Sequence, residues 1–460
     1  MNGIDPVNHP TMMDLHEAAI ATGGRAHGES TRFSGVTTDS RRIEPGDLFV
    51  ALKGERFDGN AYVAEAMTHG AVAAITSRLV GASPQVVVAD TRLALGRLAA
   101  HWRSRFTLPL VALTGSNGKT TVKEMLGAIL ATHCGERAMV LATEGNLNND
   151  IGMPLTLLRL REEHRYAVIE MGMNHAGEIE YLTELAQPAV ALVNNAQRAH
   201  VGILGSIEAI AHAKGEIYSG LKAGGVAVIN EDDPFAGYWK KLNADRRIVT
   251  FGFAESANVR ATIAGSQVRF VTPVDAFAVS LQVAGEHNVR NALAACAAAH
   301  ALEIPPHSMQ DGLNHFAGVP GRLQRRPGRA GSTLIDDTYN ANPESMKAAL
   351  RVLGAVAGRR VFVMGDMGEL GGEAAAMHAE VGTFAREAGI DALLALGEAS
   401  RGAVAAFGPG ARHFEDLAAL IEEAGHEAAK GATLLVKGSR FMQMERVSDA
   451  LALPGNDRAA

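Results

Sequence analysis

Short continuous apolar runs alternate along most of the chain with stretches whose apolar positions recur at helical spacing. Residues 110–113, 167–169, 189–193 and 226–229 are unbroken runs, the pattern of parallel strands buried on both faces. Val122, Met125, Leu126, Ile129 and Leu130 fall on one helical face. An alanine-rich stretch over 288–301 reads as a buried helix. Beyond residue 331 the rhythm returns, with strands over 333–336, 361–364, 392–396 and 433–436. Helices are predicted over 343–356, 374–387 and 417–429. The first hundred residues are less regular. Residues 49–52 and 85–88 read as strands, 44–47 as a Pro-Gly turn, and 93–106 as a helix ending before Pro109. Residues 318–331 are dense in Gly, Pro and Arg and read as a linker. The expected fold is therefore α/β in three domains, 1–107, 108–320 and 321–460. A central parallel-sheet domain is flanked by an N-terminal α/β domain and a C-terminal Rossmann-like one.

Composition narrows the class. A chain of 460 residues exceeds one compact core, and 47% hydrophobic residues suffice for several. Charged residues at 20% exclude a disordered chain. Forty-three Lys and Arg against 50 Asp and Glu leave a net charge of −7, which argues against nucleic-acid binding. No run is long and apolar enough for a membrane span, and the N-terminus lacks the basic start and apolar stretch of a signal peptide. Two cysteines, Cys134 and Cys296, are too few for a disulfide framework or a structural zinc site. A cytoplasmic, monomeric enzyme is the expectation.

The strongest chemical signal is Thr114-Gly115-Ser116-Asn117-Gly118-Lys119-Thr120-Thr121, between a strand and a helix. Glycines let backbone N–H groups close around phosphate oxygens, and the helix N-terminus adds positive potential. Lys119 would reach the β- and γ-phosphates of ATP, and the Thr120 hydroxyl would sit on Mg²⁺. The place of the usual first P-loop glycine holds Leu113. Glu170 ends a parallel strand at the ligand-binding edge, where a carboxylate can hold Mg²⁺. His200 follows another strand end and is a candidate metal ligand or phosphate contact, or a packed histidine. Lys214, taken alone, reads as a surface lysine. Asn148 and Asn149 suit a polar ligand and suit a plain turn equally. Asn342 before Pro343 reads as a helix cap. Capping leaves Asp337, Tyr339 and Asn340 unexplained at the ligand edge of the third domain.

Together these motifs resemble the Mur ligases, the ATP-dependent amide-forming ligases of peptidoglycan precursor synthesis. Thr38-Asp39-Ser40-Arg41 with residues 45–52 resembles the family's UDP-binding first domain. Residues 115–121, Glu170-Met171-Gly172, Gly285-Glu286-His287-Asn288 and Gly321-Arg322 resemble its central ATPase domain. Residues 148–154, 337–343, 365–371 and 437–440 are most similar to the branch that adds D-alanyl-D-alanine to UDP-N-acetylmuramoyl-tripeptide. The resemblance implies that Lys119 binds phosphate and that Thr120 and Glu170 hold Mg²⁺. It puts Lys214 at a position where sister ligases carry a carbamylated lysine supporting a second Mg²⁺, with His200 beside it. Asn288 would contact adenine. Arg322, Asp337, Tyr339 and Asn340 would reach ATP from the hinge and third domain. Ser40 and Arg41 would lie near the uridine diphosphate, and Asn148 and Asn149 near the muramoyl substrate.

The implied reaction needs no protein nucleophile. ATP phosphorylates the terminal carboxylate of the nucleotide-linked tripeptide, and the dipeptide amine attacks the acyl phosphate. Another member of the family, adding a single amino acid or acting as a folylpolyglutamate synthase, would share most of these motifs. A regulatory P-loop ATPase would leave the first-domain motif and residues 337–342 idle.

Overall fold

The structure, a computed structural model, describes residues 10–54, 57–265 and 267–453. Residues 1–9, on which the expectation of no leader rests, lie outside them. Among the described residues no helix is long and apolar enough to cross a membrane.

Each domain is built on one main sheet. The first carries five strands in the order Arg25–His27, Gln85–Val87, Ala73–Thr76, Asp47–Val50, Gly35–Thr37, parallel apart from the first pair. Its helix Thr91–Arg103 begins where the Asp90 carboxylate accepts from the amides of Arg92 and Leu93.

The central sheet has nine strands. Leu110–Thr114 lies third from one edge, paired in parallel with Tyr166–Glu170 on one side and Val190–Val193 on the other. The chain first builds outward to Val140–Ala142 on the Tyr166–Glu170 side and then crosses to Val190–Val193 and Val226–Asn230. That change of direction opens a crevice beyond the carboxyl ends of the central strands, where α/β sheets bind ligands. Thr114, Glu170 and Asn194 all end at this edge. Both faces are covered, as the unbroken apolar runs require. The helix Glu286–Ala301, buried along almost its whole length, lies on one of them. The sheet continues into strands Val259–Ala264, Gln267–Val271 and Ala276–Val279, the last two antiparallel. Their alternating burial is the period-2 pattern of a half-exposed sheet.

The third domain's six-stranded sheet runs Gln324–Pro327, Thr333–Asp337, Thr433–Lys437, Arg360–Gly365, Ala392–Leu396, Ala411–Phe414. Only its first pair is antiparallel. This corrects the linker expected over 318–331, because residues 324–327 are an edge strand. Arg326 is buried there, and its guanidinium reaches Asp336 at 3.3 Å and Asp449 at 2.7 Å. Pro327 is tolerated because it ends an edge strand.

Candidate active site

The loop after Leu110–Thr114 leads straight into the helix Lys119–Cys134. Gly118 turns the chain at φ +80°, and a Cβ there would fall 2.2 Å from Asn291 Oδ1. Glycine is therefore needed both for its backbone and for its size. No side chain caps this helix, so its first amides face the crevice. Lys119 folds back and donates to Gly115 O at 2.7 Å. Burial pushes its amine below the usual lysine range, with Glu170 pulling the other way.

Thr120 and Glu170 meet as the sequence suggests. Thr120 Oγ1 donates to Glu170 Oε2 at 2.9 Å, and Asn148 Nδ2 donates to Glu170 Oε1 at 2.8 Å. Glu170 is buried, and no Lys, Arg or His lies within ion-pair distance of it among the described residues. A buried carboxylate without a cation, held beside a hydroxyl, suits a divalent metal. The two asparagines separate in role. Asn149 spends its carboxamide oxygen on the amides of Ile151 and Gly152, the plain turn, while Asn148 reaches the acid.

Lys214 is not the surface residue its sequence context suggests. It is 2% exposed on the helix Ile207–Gly215, and among the described residues its amine has no hydrogen-bond or ion-pair partner. Burial, with Lys119 adding repulsion, holds it well below the ordinary lysine range. The neutral amine is thereby favoured. His200 sits at φ +64°, with Nδ1 2.7 Å from Glu369 Oε2 of the third domain. That contact holds Glu369 below the usual carboxylate range.

The third domain closes the other wall. Asp337 Oδ2 pairs with the buried Lys437 at 2.6 Å, and Lys437 also donates to Asn340 O at 2.8 Å. Arg322 stacks 3.9 Å over the Tyr339 ring and reaches Thr120 Oγ1 at 3.2 Å. A cleft of about 1490 Å³ results, with Ser116, Lys119, Glu170, Lys214, Asn288 and Asp337 among its walls. Asn117, Gly118, Thr120, Thr121, Asn148, Asn149, His200, Arg322, Tyr339 and Asn340 also face it. Asn288 donates to Ala284 O at 2.7 Å and accepts from Asn291, which fixes its carboxamide at the helix start.

Ser40 and Arg41 lie elsewhere, on the first domain. Arg41 is exposed and pairs with Asp39 at 2.8 Å, holding that carboxyl at about 2. Sequence reasoning missed the cross-domain partners. Glu369 lies within the quoted 365–371 motif, but nothing local points it at His200. Arg198, beside His200, forks onto Glu380 at 2.9 Å and meets Glu344 at 2.5 Å.

Comparison with known proteins agrees with this geometry. Residues 32–103 match the Mur ligase family catalytic domain, 113–299 the Mur ligase middle domain, and 321–440 the Mur ligase glutamate ligase domain. The chain belongs to the Mur ligase family. Among the Mur ligases it is 45% identical to the UDP-N-acetylmuramoyl-tripeptide–D-alanyl-D-alanine ligase of Escherichia coli K12, over 95% of this chain and 98% of that protein. The crystal structure of MurF from Acinetobacter baumannii superposes with a TM-score of 0.89 at 40% identity, covering 96% of this chain and 99% of that one. MurF ligase from Thermotoga maritima in complex with ADP gives 0.78 at 27% identity, covering 90% and 96%. Each matched segment overlaps one of the three main sheets, and the cleft lies between the last two.

Proposed function

We propose that this Mur ligase joins D-alanyl-D-alanine to UDP-N-acetylmuramoyl-tripeptide at the expense of ATP, as a cytoplasmic monomer. The observation that carries the reading is the shared cleft. The phosphate loop of the second domain and Asp337, Tyr339, Asn340 and Asn342 of the third line one space, in a chain similar over nearly its whole length to ligases of that name.

In the first step the tripeptide carboxylate attacks the γ-phosphorus of ATP and ADP leaves, giving an acyl phosphate. Two anions must approach, so cationic groups carry the step. Lys119 and the loop amides draw charge from the phosphates, and Arg322 reaches them from the third domain. Thr120 and Glu170 would hold Mg²⁺. Bound there, the ion would neutralise phosphate charge. Lys214 would serve as a carbamate. Its neutral amine adds to CO₂ and releases a proton, so a buried cation becomes an anionic oxygen donor. His200 would stand beside that group. In the second step the dipeptide amine attacks the acyl carbon, and collapse releases phosphate. Asn288 would meet adenine, and Asp337, Tyr339 and Asn340 would bind the nucleotide from the third domain. Ser40 and Arg41 would hold the uridine diphosphate, and Asn148 and Asn149 would lie near the muramoyl substrate. Docking of the third domain keeps water from the intermediate.

The test is phosphate release from ATP with UDP-N-acetylmuramoyl-tripeptide, with and without D-alanyl-D-alanine. Release that needs the dipeptide and yields the pentapeptide is expected. Equal release without it, or preference for single amino acids, would overturn the assignment. Lys119→Ala should abolish ligation, by a factor of about 10³ or more, without lowering the melting temperature.

A further inference from the structure

Among the described residues, one side chain of the third domain hydrogen-bonds to the middle of the phosphate loop. Asn342 Nδ2 donates to Asn117 Oδ1 at 2.8 Å, and Asn117 Nδ2 donates back to Asn342 Oδ1 at 3.3 Å. Every other hydrogen bond of Asn117 among the described residues stays within the second domain. Its amide donates to Asn195 Oδ1 at 2.9 Å, and its carbonyl accepts from Asn194 and Asn195. Its Nδ2 also donates to Gln197 Oε1 at 2.5 Å. The Asn117 side-chain oxygen has Asn342 as its one donor among the described residues. When the third domain leaves, that oxygen loses its partner and the carboxamide loses half its anchoring.

Asn342 is also the cap of the helix Pro343–Gly354. Its Oδ1 accepts from Ser345 N at 2.9 Å, and its own amide donates to Ser345 Oγ at 3.0 Å. Capping uses only the oxygen, which serine or aspartate would supply as well. The Nδ2 group has no part in the cap, and its bond goes to Asn117. The docking itself is held mainly elsewhere, by Arg198 on Glu344 and Glu380 and by Gly202 N on Glu369 O at 3.0 Å. The amide pair is a poor glue and a good gauge.

We infer that Asn342 is a positioning residue for phosphoryl transfer: docking of the third domain sets the Asn117 carboxamide, and through it the phosphate loop, for the first chemical step. The inference rests on the amide-ligase reading above. An undocked third domain leaves the loop unset, so ATP is not committed while the cleft is open to water.

Asn342→Ser tests this, because serine keeps a capping oxygen but has no donor that reaches Asn117. The variant should keep the wild-type melting temperature. Its small-angle scattering profile with ATP and the UDP-linked substrate should be unchanged, and its KM for the dipeptide should stay within about twofold. Its kcat should fall by about 10–100-fold, as a misplaced reacting group costs. Combined with Asn117→Ala it should lose no more than the worse single variant, since the two act through one bond. A folded Asn342→Ser with kcat within about twofold of wild type would overturn the inference. So would strict additivity in the double variant, or an expanded scattering profile accompanying the loss, which would make Asn342 mere docking glue. Wild type run alongside keeps the two claims apart. Wild type that does not ligate removes the ligase reading and this inference with it. Ligating wild type beside a fully active Asn342→Ser removes the inference alone.

Discussion

The second domain meets its two neighbours by opposite means. Towards the first domain the contact is mainly apolar and continuous, with the Arg92–Asp150 ion pair beside it. Leu95, Leu98, Ala99 and Trp102 of the first domain belong to the same core as Leu157, Leu160, Ile179 and Leu182 of the second. The Trp102 indole donates to Leu160 O at 3.0 Å, and the buried Arg103 donates to Ala186 O and Phe106 O. Gly96 lets the second domain come close, since a Cβ there would fall 2.0 Å from Tyr181 Oη. Towards the third domain the contact is made of ions and amides: Arg198 with Glu344 and Glu380, His200 with Glu369, Arg322 with Thr120, and Asn117 with Asn342. The third domain keeps its own cores, with Val201 and Ala284 the second-domain residues packed against them. Separating an apolar interface exposes its whole area to water, whereas charged groups exchange protein partners for water at small net cost. The first junction is therefore expected to stay shut and the second to open, and the candidate cleft lies at the second.

The largest effect should come from breaking the first junction. Trp102 is 7% exposed and fills the seam, so Trp102→Ala should cost about 3–5 kcal/mol. The expected readout is a lower melting temperature and faster protease cleavage between the first two domains. A melting temperature within a degree of wild type would show that the seam is not a shared core.

Arg198→Ala attacks the second junction and should act differently. It removes a guanidinium that touches two carboxylates of the third domain, worth on the order of 1–3 kcal/mol between docked and open forms. A tenfold shift towards the open form needs about 1.4 kcal/mol. Small-angle scattering should therefore show a larger radius of gyration with ligands bound, while the melting temperature barely moves. A large drop in melting temperature with no change in scattering would reverse the comparison.

How much of this could be read from the chain follows the same division. The sheets were legible, because strands buried on both faces leave unbroken apolar runs such as Leu110-Val111-Ala112-Leu113. The phosphate loop was legible because its residues act through neighbouring backbone. Asn342 was legible as a cap, since its partner Ser345 is three residues away. Its second bond, to Asn117, spans 225 residues, and Arg198 reaches Glu344 and Glu380 across 146 and 182. No local pattern carries such pairings. Lys214 looked exposed because burial is decided by what packs over the helix. Residues 324–327 looked like a linker because their composition hid a strand whose arginine pairs inward.

The smallest effect is the pH dependence of docking. Glu380 is held at about 2, first by its hydrogen bonds from Arg198 and further by Lys347. A carboxyl whose pKa is depressed in the docked form stabilises docking above its pKa in the open form and loses that contribution as pH falls towards about 2. Lys347 belongs to the same domain and stays with Glu380 when the domains part. The open-form pKa therefore lies somewhat under the free glutamate value of about 4.3. Between pH 8 and 5 the Arg198–Glu380 pair adds no pH dependence to docking, and below about pH 4 its contribution should fall. The radius of gyration of the ligand-bound enzyme, followed across that range, should show this pair's step only at the acid end. In Arg198→Ala, which has already lost the pair, the acid step should shrink or vanish. An undiminished acid step in the variant would take the latch away from Arg198 and Glu380.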